Sequence, residues 1–503
     1  MIVQSLLQFW SYYPGFLLGA SALLGVAIAL YPPFPSLLLF LLLALLAKDK
    51  KYRNTLVIFF IGFLFSFAVA YFKYHFPDAD DIKTGKANIT ITSKELSKTN
   101  FGYRYKYKAH LNSYTSQLDN AYGFDVKFTL SADVGAFQPD TGKRYQIRAR
   151  LKKNLAGSYT LSSIDKNSWK PLGSVLNLVK WRFDAKNAIK ENIAEAIKNK
   201  HVAAFLSGMA TGQFDDMALS IELGRFGLQH LMAISGLHFS IIATILSILL
   251  SLVFQTRTVS IAVIVLLSGY FILLGPSASV MRAWVTIVIA FLGLLLERQS
   301  LGINSLGIAL FLVAIFDPLA IGTIAFQFSF GITAAILILS KPIEAMLEKV
   351  LPKRDLSDVL HMPTLSRISV CSLSFLRSGL SLMFAVNLIA MPLTLYHFHK
   401  FPLMSLLYNL FFPFMVSLSM LLLLLALLTT PLPNICHLFH TFNERYTDFL
   451  LNLTFGLPRS FDTHWTVENI PLIPLTIYLI ALLTGAMAIH KKNQGSLQEH
   501  III

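Results

Sequence analysis

Charge is scarce in this chain. Only 14% of its 503 residues are Asp, Glu, Lys or Arg, against about 25% in soluble globular proteins. That deficit excludes a soluble enzyme and a disordered chain. Cysteine is scarcer: Cys371 and Cys436 are the only two. A disulfide-stapled scaffold is therefore excluded, and so are the paired Cys/His spacings of zinc sites. No Gly-x-x-x-x-Gly-Lys-Ser/Thr loop occurs, so nothing points to ATP hydrolysis. Gly-x-Ser-x-Gly is absent too, as are repeats and low-complexity segments. Met1 to Tyr13 has no basic region and no small-residue cleavage site, so no removable signal peptide is expected.

Apolar residues make up 55% of the chain. They come in blocks such as Pro35 to Ala47 and Met420 to Leu428, several near the roughly 20 residues that cross a bilayer. The fold class expected is a polytopic α-helical membrane protein of about 11 membrane segments, with a small β-barrel outside the membrane. Segments are read near 14–31, 34–47, 54–72, 228–254, 258–275, 279–296, 303–321, 324–340, 380–398, 403–429 and 470–489. The basic run Lys48 to Arg53 places the hinge between the second and third segments in the cytoplasm. The N-terminus is then cytoplasmic too, and the stretch 80–170 lies outside. The polar loop 341–379 is expected in the cytoplasm. For the C-terminus, Lys491 and Lys492 argue for the cytoplasm and a plain count argues against it.

The imbalance of 42 basic over 27 acidic residues is concentrated. Between Lys83 and Lys170 there are 16 Lys/Arg and 6 Asp/Glu, a net +10 of the total +15. The same stretch alternates with period two, the mark of half-buried strands. Ile89 and Ile91 begin it, followed by Tyr103, Tyr105 and Tyr107, then Val126, Phe128 and Leu130, then Tyr145, Ile147, Ala149 and Leu151. A fifth strand fits Ser158 to Ile164. Five strands without a long helix suit a closed OB-like barrel over 80–170. Its outward face would carry Arg104, Lys106, Lys108, Lys127, Arg144, Arg148, Arg150 and Lys152. Such a face suits single-stranded nucleic acid, and equally anionic lipid headgroups. The tyrosines either fill the core or stack on bases.

Residues 174–202 read as an amphipathic basic helix. Trp181, Ala185, Ile189, Ile193 and Ile197 form its apolar stripe, with Arg182 and Lys186 among the cations elsewhere. It either lies along the membrane surface or packs on the protein. The remaining divisions are N-terminal helices over 1–75, a membrane domain over 203–490 and a tail over 491–503. Polar groups inside membrane segments are costly and tend to face a cavity or a partner. His230, Ser235 and His238 stand within about two turns around Gly236. Arg282 lies near a helix start, and Gln327 and Ser329 sit in an aromatic run. His397 and His399 follow Met391-Pro392. Asn409, near Pro413, reads as a break lining a cavity. Each has a structural alternative: interhelical hydrogen bonding for the histidines, close packing for Ser235-Gly236, snorkelling for Arg282.

At these segments the chain resembles the ComEC competence proteins, which conduct DNA across the bacterial cytoplasmic membrane. Phe226 to His238 carries the resemblance. Ser279 to Ala283 around Arg282, Asp317-Pro318, Phe326 to Phe330, and Ser405 to Pro413 around Asn409 support it in order and spacing. The resemblance implies an inner-membrane channel importing single-stranded DNA, with a DNA receptor outside and a helicase-like motor inside. A second copy of the chain is a further candidate partner. Many relatives carry a C-terminal metallo-β-lactamase-like domain. Here His397-Phe398-His399-Lys400 lacks the rest of its metal cluster, so that domain, a metal and any other cofactor are not expected, and neither is enzymatic activity. Two other functions compete. One is a secondary transporter of a small anion. The other is an intramembrane hydrolase using Ser235 and His238.

Overall fold

The alternating stretch closes on itself. Strands β1 (Lys83–Thr99), β2 (Gly102–Ser116), β3 (Asn120–Ala121), β4 (Asp125–Ser131), β5 (Lys143–Lys153), β6 (Tyr159–Ser163) and β7 (Lys170–Ser174) form one sheet. Its five long members pair in the circuit β1-β2-β4-β6-β5, and β5 returns to β1. All these pairings are antiparallel except β4–β6. Period-two alternation decides which side chains go in. Ile89, Ile91, Tyr107, Ala109, Val126, Phe128, Ile147, Ala149 and Leu161 fill the interior, and the residues between them face out. The expected five-strand barrel is therefore present. β7 carries it to Ser174, a little beyond the expected boundary of 170.

The computed structural model describes residues 2–30, 53–76, 83–99, 102–116, 120–131, 137–153, 159–163, 169–174, 178–214, 216–232, 234, 236–298, 300–354, 359 and 362–499. The helices are α1 (Ile2–Tyr12), α2 (Pro14–Leu30), α3 (Arg53–Lys73), α4 (Leu178–Ala196), α5 (Lys200–Thr211), α6 (Met217–Arg225), α7 (Gly236–Ser251), α8 (Thr256–Leu274), α9 (Ala278–Leu295), α10 (Gly302–Phe316), α11 (Ile324–Leu347), α12 (Thr364–Phe398), α13 (Ser405–Leu428), α14 (Pro433–Phe455) and α15 (Leu472–Glu499). Among the described residues seven are long and apolar enough to span a bilayer, eight if the bent pair α1–α2 counts as one span. α7 and α10 are shorter apolar helices. The expected count of about 11 is thus not confirmed among the described residues, and the segment expected at 34–47 lies outside them.

Two other expected bounds shift. The segment expected from 228 becomes a helix only at Gly236, because Gly227 is left-handed at φ 68° and Gln229–Met232 is a short 3-10 turn. The segment expected from 380 is the end of a 35-residue helix that starts at Thr364, so part of the polar loop 341–379 is helical.

The barrel sits on one end of the bundle. Lys73 Nζ at the end of α3 donates to the Phe316 carbonyl at the end of α10, 2.8 Å away. Leu319, just beyond, packs against the barrel's core. α11 starts at this barrel side and α12 returns to it, since Gln327 and His397 meet at 2.8 Å. There β8 (Lys400–Pro402) pairs with β9 (His464–Thr466). α13 leaves from this end and α14 returns antiparallel along it, with Tyr446 OH on the Met415 carbonyl and Tyr408 OH on the Leu453 carbonyl. α14 went unread in the sequence; it is not among the helices long and apolar enough to span a bilayer, yet it carries the chain back along α13, a return that the plain count of segments leaves out. α15 starts at the barrel side and ends at the far one, together with the connection between α11 and α12.

Candidate functional site

The eight cations expected on the barrel's outer face are all exposed: Arg104, Lys106, Lys108, Lys127, Arg144, Arg148, Arg150 and Lys152. Strand register arranges them. Lys108 of β2 lies directly opposite Lys127 of β4, Lys127 pairs with Thr160 of β6, and Thr160 pairs with Lys152 of β5. One row of lysines and a threonine thus crosses four strands. Lys86 and Arg148 face each other across β1 and β5 in the same way. Among the described residues none of the eight forms an ion pair. Like charges directly opposite on a sheet are destabilising, so this face works against the barrel's own stability.

The tyrosines mostly take the core role. Tyr107 is buried and stacked on Phe128 with ring centroids 5.0 Å apart, and burial pushes its hydroxyl pKa up. Tyr105 is half-buried beneath Lys94, whose ammonium lies 4.1 Å from its ring centre. Burial lowers the Lys94 pKa. The Tyr103 side chain lies outside the described residues.

α4 packs on the protein. Arg182 Nε donates to the Ile272 carbonyl and Lys186 Nζ to the Leu274 carbonyl, each at 2.8 Å. These are terminal acceptors of α8, where a helix dipole favours cations. Lys186, expected on the polar face, is buried, and Trp181 of the expected stripe is half exposed. Burial lowers the Arg182 pKa. On its other side α4 brings Phe183 to Lys94 of β1, 5.8 Å from ammonium to ring centre, so it joins barrel to bundle.

Inside the bundle the segment 226–238 is the hub. Phe226 stacks on Tyr408 at 4.7 Å. A Cβ on Gly227 would meet that of Ser405 at 2.7 Å, so this left-handed glycine lets the turn press against α13. Nine residues on, the Arg282 guanidinium of α9 lies over Gly236, where an added Cβ would be 3.2 Å from Nη2. Arg282 Nη1 donates to Thr333 Oγ1 on α11, and Thr333 donates to the Ser329 carbonyl at 2.8 Å. Gln229 and His230 are exposed. His230 Nδ1 meets the Gly227 carbonyl at 3.1 Å.

Sequence-predicted residues are sorted accordingly. Gly236 and Arg282 come together, and Arg282 points inward instead of snorkelling. Gln327 pairs with His397, away from that contact. His230 and His238 do not share a helix, since His230 precedes α7. His238 is buried with Nε2 3.3 Å from Met209 Sδ. Ser235 lies outside the described residues, so a Ser235–His238 pair has no geometry behind it. Asn409 is not at a break: it lies within continuous α13, with Pro413 accommodated one turn on. Its Oδ1 is enclosed and without a partner among the described residues, and so are Ser405 Oγ, Ser329 Oγ and Arg282 Nε. Thr333 was missed, although it stands four residues after Ser329 and so shares its helix face. Among the described residues no three His, Cys, Asp or Glu side chains are placed to hold a metal.

Barrel, bundle and hub together define a multi-pass membrane protein with an extramembrane β-barrel. Residues 216–492 match the Competence protein family. That is more than half of the chain, which belongs to that family, as the resemblance at Phe226 to His238 implied. The chain is also 26% identical over 182 residues to ComE operon protein 3 of Bacillus subtilis (strain 168), covering 36% of this chain and 20% of that protein. The match thus spans about a fifth of that relative's length. No solved structure matches.

Proposed function

We propose that this chain is a conduit of the bacterial cytoplasmic membrane that imports single-stranded DNA during natural transformation, with its barrel outside the cytoplasm. The observation that carries the reading is the row Lys108, Lys127, Thr160 and Lys152. A domain that sets lysine against lysine without acidic partners is built for a polyanion, because bound phosphates remove the repulsion that the free face suffers. In an OB-like barrel the second and third strands make the face for single strands, and here β2 and β4 carry Arg104, Lys106, Lys108 and Lys127. Family membership supports DNA as the cargo. The polar groups around Gly236 and Arg282 would line the route through the bundle. The chain would act without chemistry of its own, drawing on a receptor outside and a helicase-like motor inside. A second copy would be a further partner.

The test uses the full chain in nanodiscs and a fluorescent single-stranded oligonucleotide. Log affinity should fall with log salt by about 0.7 per phosphate contacted. Replacing Lys108, Lys127 and Lys152 together by Ala should flatten that slope by about 2. An unchanged slope takes the barrel out of the DNA path. Labelled DNA should enter cells that make the protein and stay outside cells that lack it. Deleting residues 83–170 would abolish that uptake, whereas a small-anion transporter would keep its transport.

A further inference from the structure

We propose that Arg282 and the N-terminus of α7 form an anion cradle inside the membrane domain, and that it holds phosphodiester groups of a passing strand one at a time. The choice of a nucleic-acid strand as occupant rests on the conduit reading above; the cradle itself does not.

Two positive features meet here. Arg282 projects from the second turn of α9 onto Gly236, the first residue of the 16-residue helix α7. A helix N-terminus carries partial positive charge and directs amide hydrogens at anions. An arginine pressed against it, inside protein, is electrostatically wrong unless a negative group joins them. No such group is in place. Arg282 forms no ion pair among the described residues, and its one hydrogen bond there goes to the neutral Thr333 hydroxyl. Its Nε is enclosed and without a partner. Ser329 Oγ, one turn from Thr333, is likewise enclosed and unpartnered. A guanidinium fork matches two oxygens of a phosphate, and a serine hydroxyl is a further donor. Gly236 contributes by having no Cβ, which would crowd Nη2 at 3.2 Å. Gln229 and His230 on the same segment are exposed, and polar side chains left uncovered by protein in a membrane domain favour water beside them. A single arginine suits transit, because a conducting site must bind weakly enough to release.

A cysteine placed beside the cradle reads its charge directly. Ser279 lies three residues before Arg282 on the same helix face and is partly exposed. The full chain carrying Ser279→Cys, with Cys371→Ser and Cys436→Ser, is reconstituted in phosphatidylcholine nanodiscs. It is then reacted with an anionic and a cationic methanethiosulfonate reagent of similar size. The anionic reagent should react about tenfold faster relative to the cationic one. Arg282→Gln should erase that preference, and Arg282→Lys, which keeps the charge, should retain most of it. Millimolar inorganic phosphate should protect the cysteine, less so with Gly236→Ala.

Equal rates for the two reagents, or a preference that survives Arg282→Gln, overturn the cradle. Should Arg282→Gln fail to fold, equal rates in the parent protein still overturn it, and so does full phosphate protection with Gly236→Ala. The occupant is read separately. A phosphodiester oligonucleotide should protect and its uncharged methylphosphonate analogue should not. Protection by phosphate but by neither oligonucleotide keeps the cradle and removes the nucleic-acid occupant, and with it the conduit reading. Protection appearing only when phosphatidylglycerol replaces phosphatidylcholine assigns the cradle to lipid and overturns the strand as occupant.

Discussion

At the scale of single residues, Lys127 shows how function and stability pull against each other. It faces Lys108 across β2 and β4 with both side chains exposed. Lys127→Thr removes that repulsion and supplies a β-branched residue suited to a strand. It should stabilise the barrel by about 0.2–1 kcal/mol, seen as slower hydrogen exchange of β2 and β4 amides in the full chain, while single-stranded DNA binding weakens. Unchanged exchange would show that the opposed lysines cost the fold nothing. The sequence made this residue legible: alternation assigned every one of the eight barrel cations to the outside, and Tyr107 to the inside as one of two readings. It could not show that Lys127 and Lys108 are opposed, because register between separate strands is set by the whole circuit of pairings. The same limit applied in the bundle. His238 was visible as a histidine near a helix start, yet only packing turned it toward Met209.

Elements were legible where one physical signal dominated. Strand periodicity gave all five barrel strands, and apolar runs gave α3, α8, α9 and α13 nearly to their ends. α4 was legible as an amphipathic helix, but its periodicity says nothing about what it packs against. The answer lies in its cations: Arg182 and Lys186 take the last carbonyls of α8, which in an apolar setting would otherwise lack donors. Replacing both by Ala should therefore destabilise the protein by about 1–2 kcal/mol, read as a lower unfolding midpoint in detergent. Replacing Lys198 and Lys200, which are exposed on the same stretch, should have little effect. Equal losses from the two pairs would mean that α4 matters only for its charge. α14 was missed for the opposite reason. Its Asn443 and Thr447 are fully buried against Ser419 of α13, with hydrogen bonds of 2.6–3.1 Å among the three, so its polar side chains satisfy one another inside the bundle. Hydropathy counts those groups as exposed to solvent, and a helix that meets its neighbour through them does not register.

For the whole molecule, the return of α14 decides which ends share a side. The strand pair β8–β9 ties the end of α12, the start of α13 and the approach to α15 to the barrel side. The connection between α11 and α12 and the end of α15 then fall on the far side. If the barrel is outside, as proposed, that far side is the cytoplasm, in agreement with Lys341, Lys349, Lys353 and Arg354 near the first and Lys491 and Lys492 in the second. A fluorescent protein that matures only in the cytoplasm makes the arrangement measurable. Fused after Ile503, or inserted between α11 and α12, it should fluoresce. Inserted between α14 and β9, near Arg459, it should stay dark, while a periplasmic phosphatase at that position should be active. Were α14 to lie flat on the cytoplasmic face, the Arg459 fusion would fluoresce. The pairing of β8 with β9 would then be impossible, since α13 alone separates those strands by a full membrane thickness. A dark Arg459 fusion together with a bright C-terminal one requires the polar helix α14 to lie at membrane depth. Its polar face is then turned to Ser419 of α13 and its exposed Leu438, Phe442 and Phe449 to lipid, beside the hub that meets Ser405 and Tyr408.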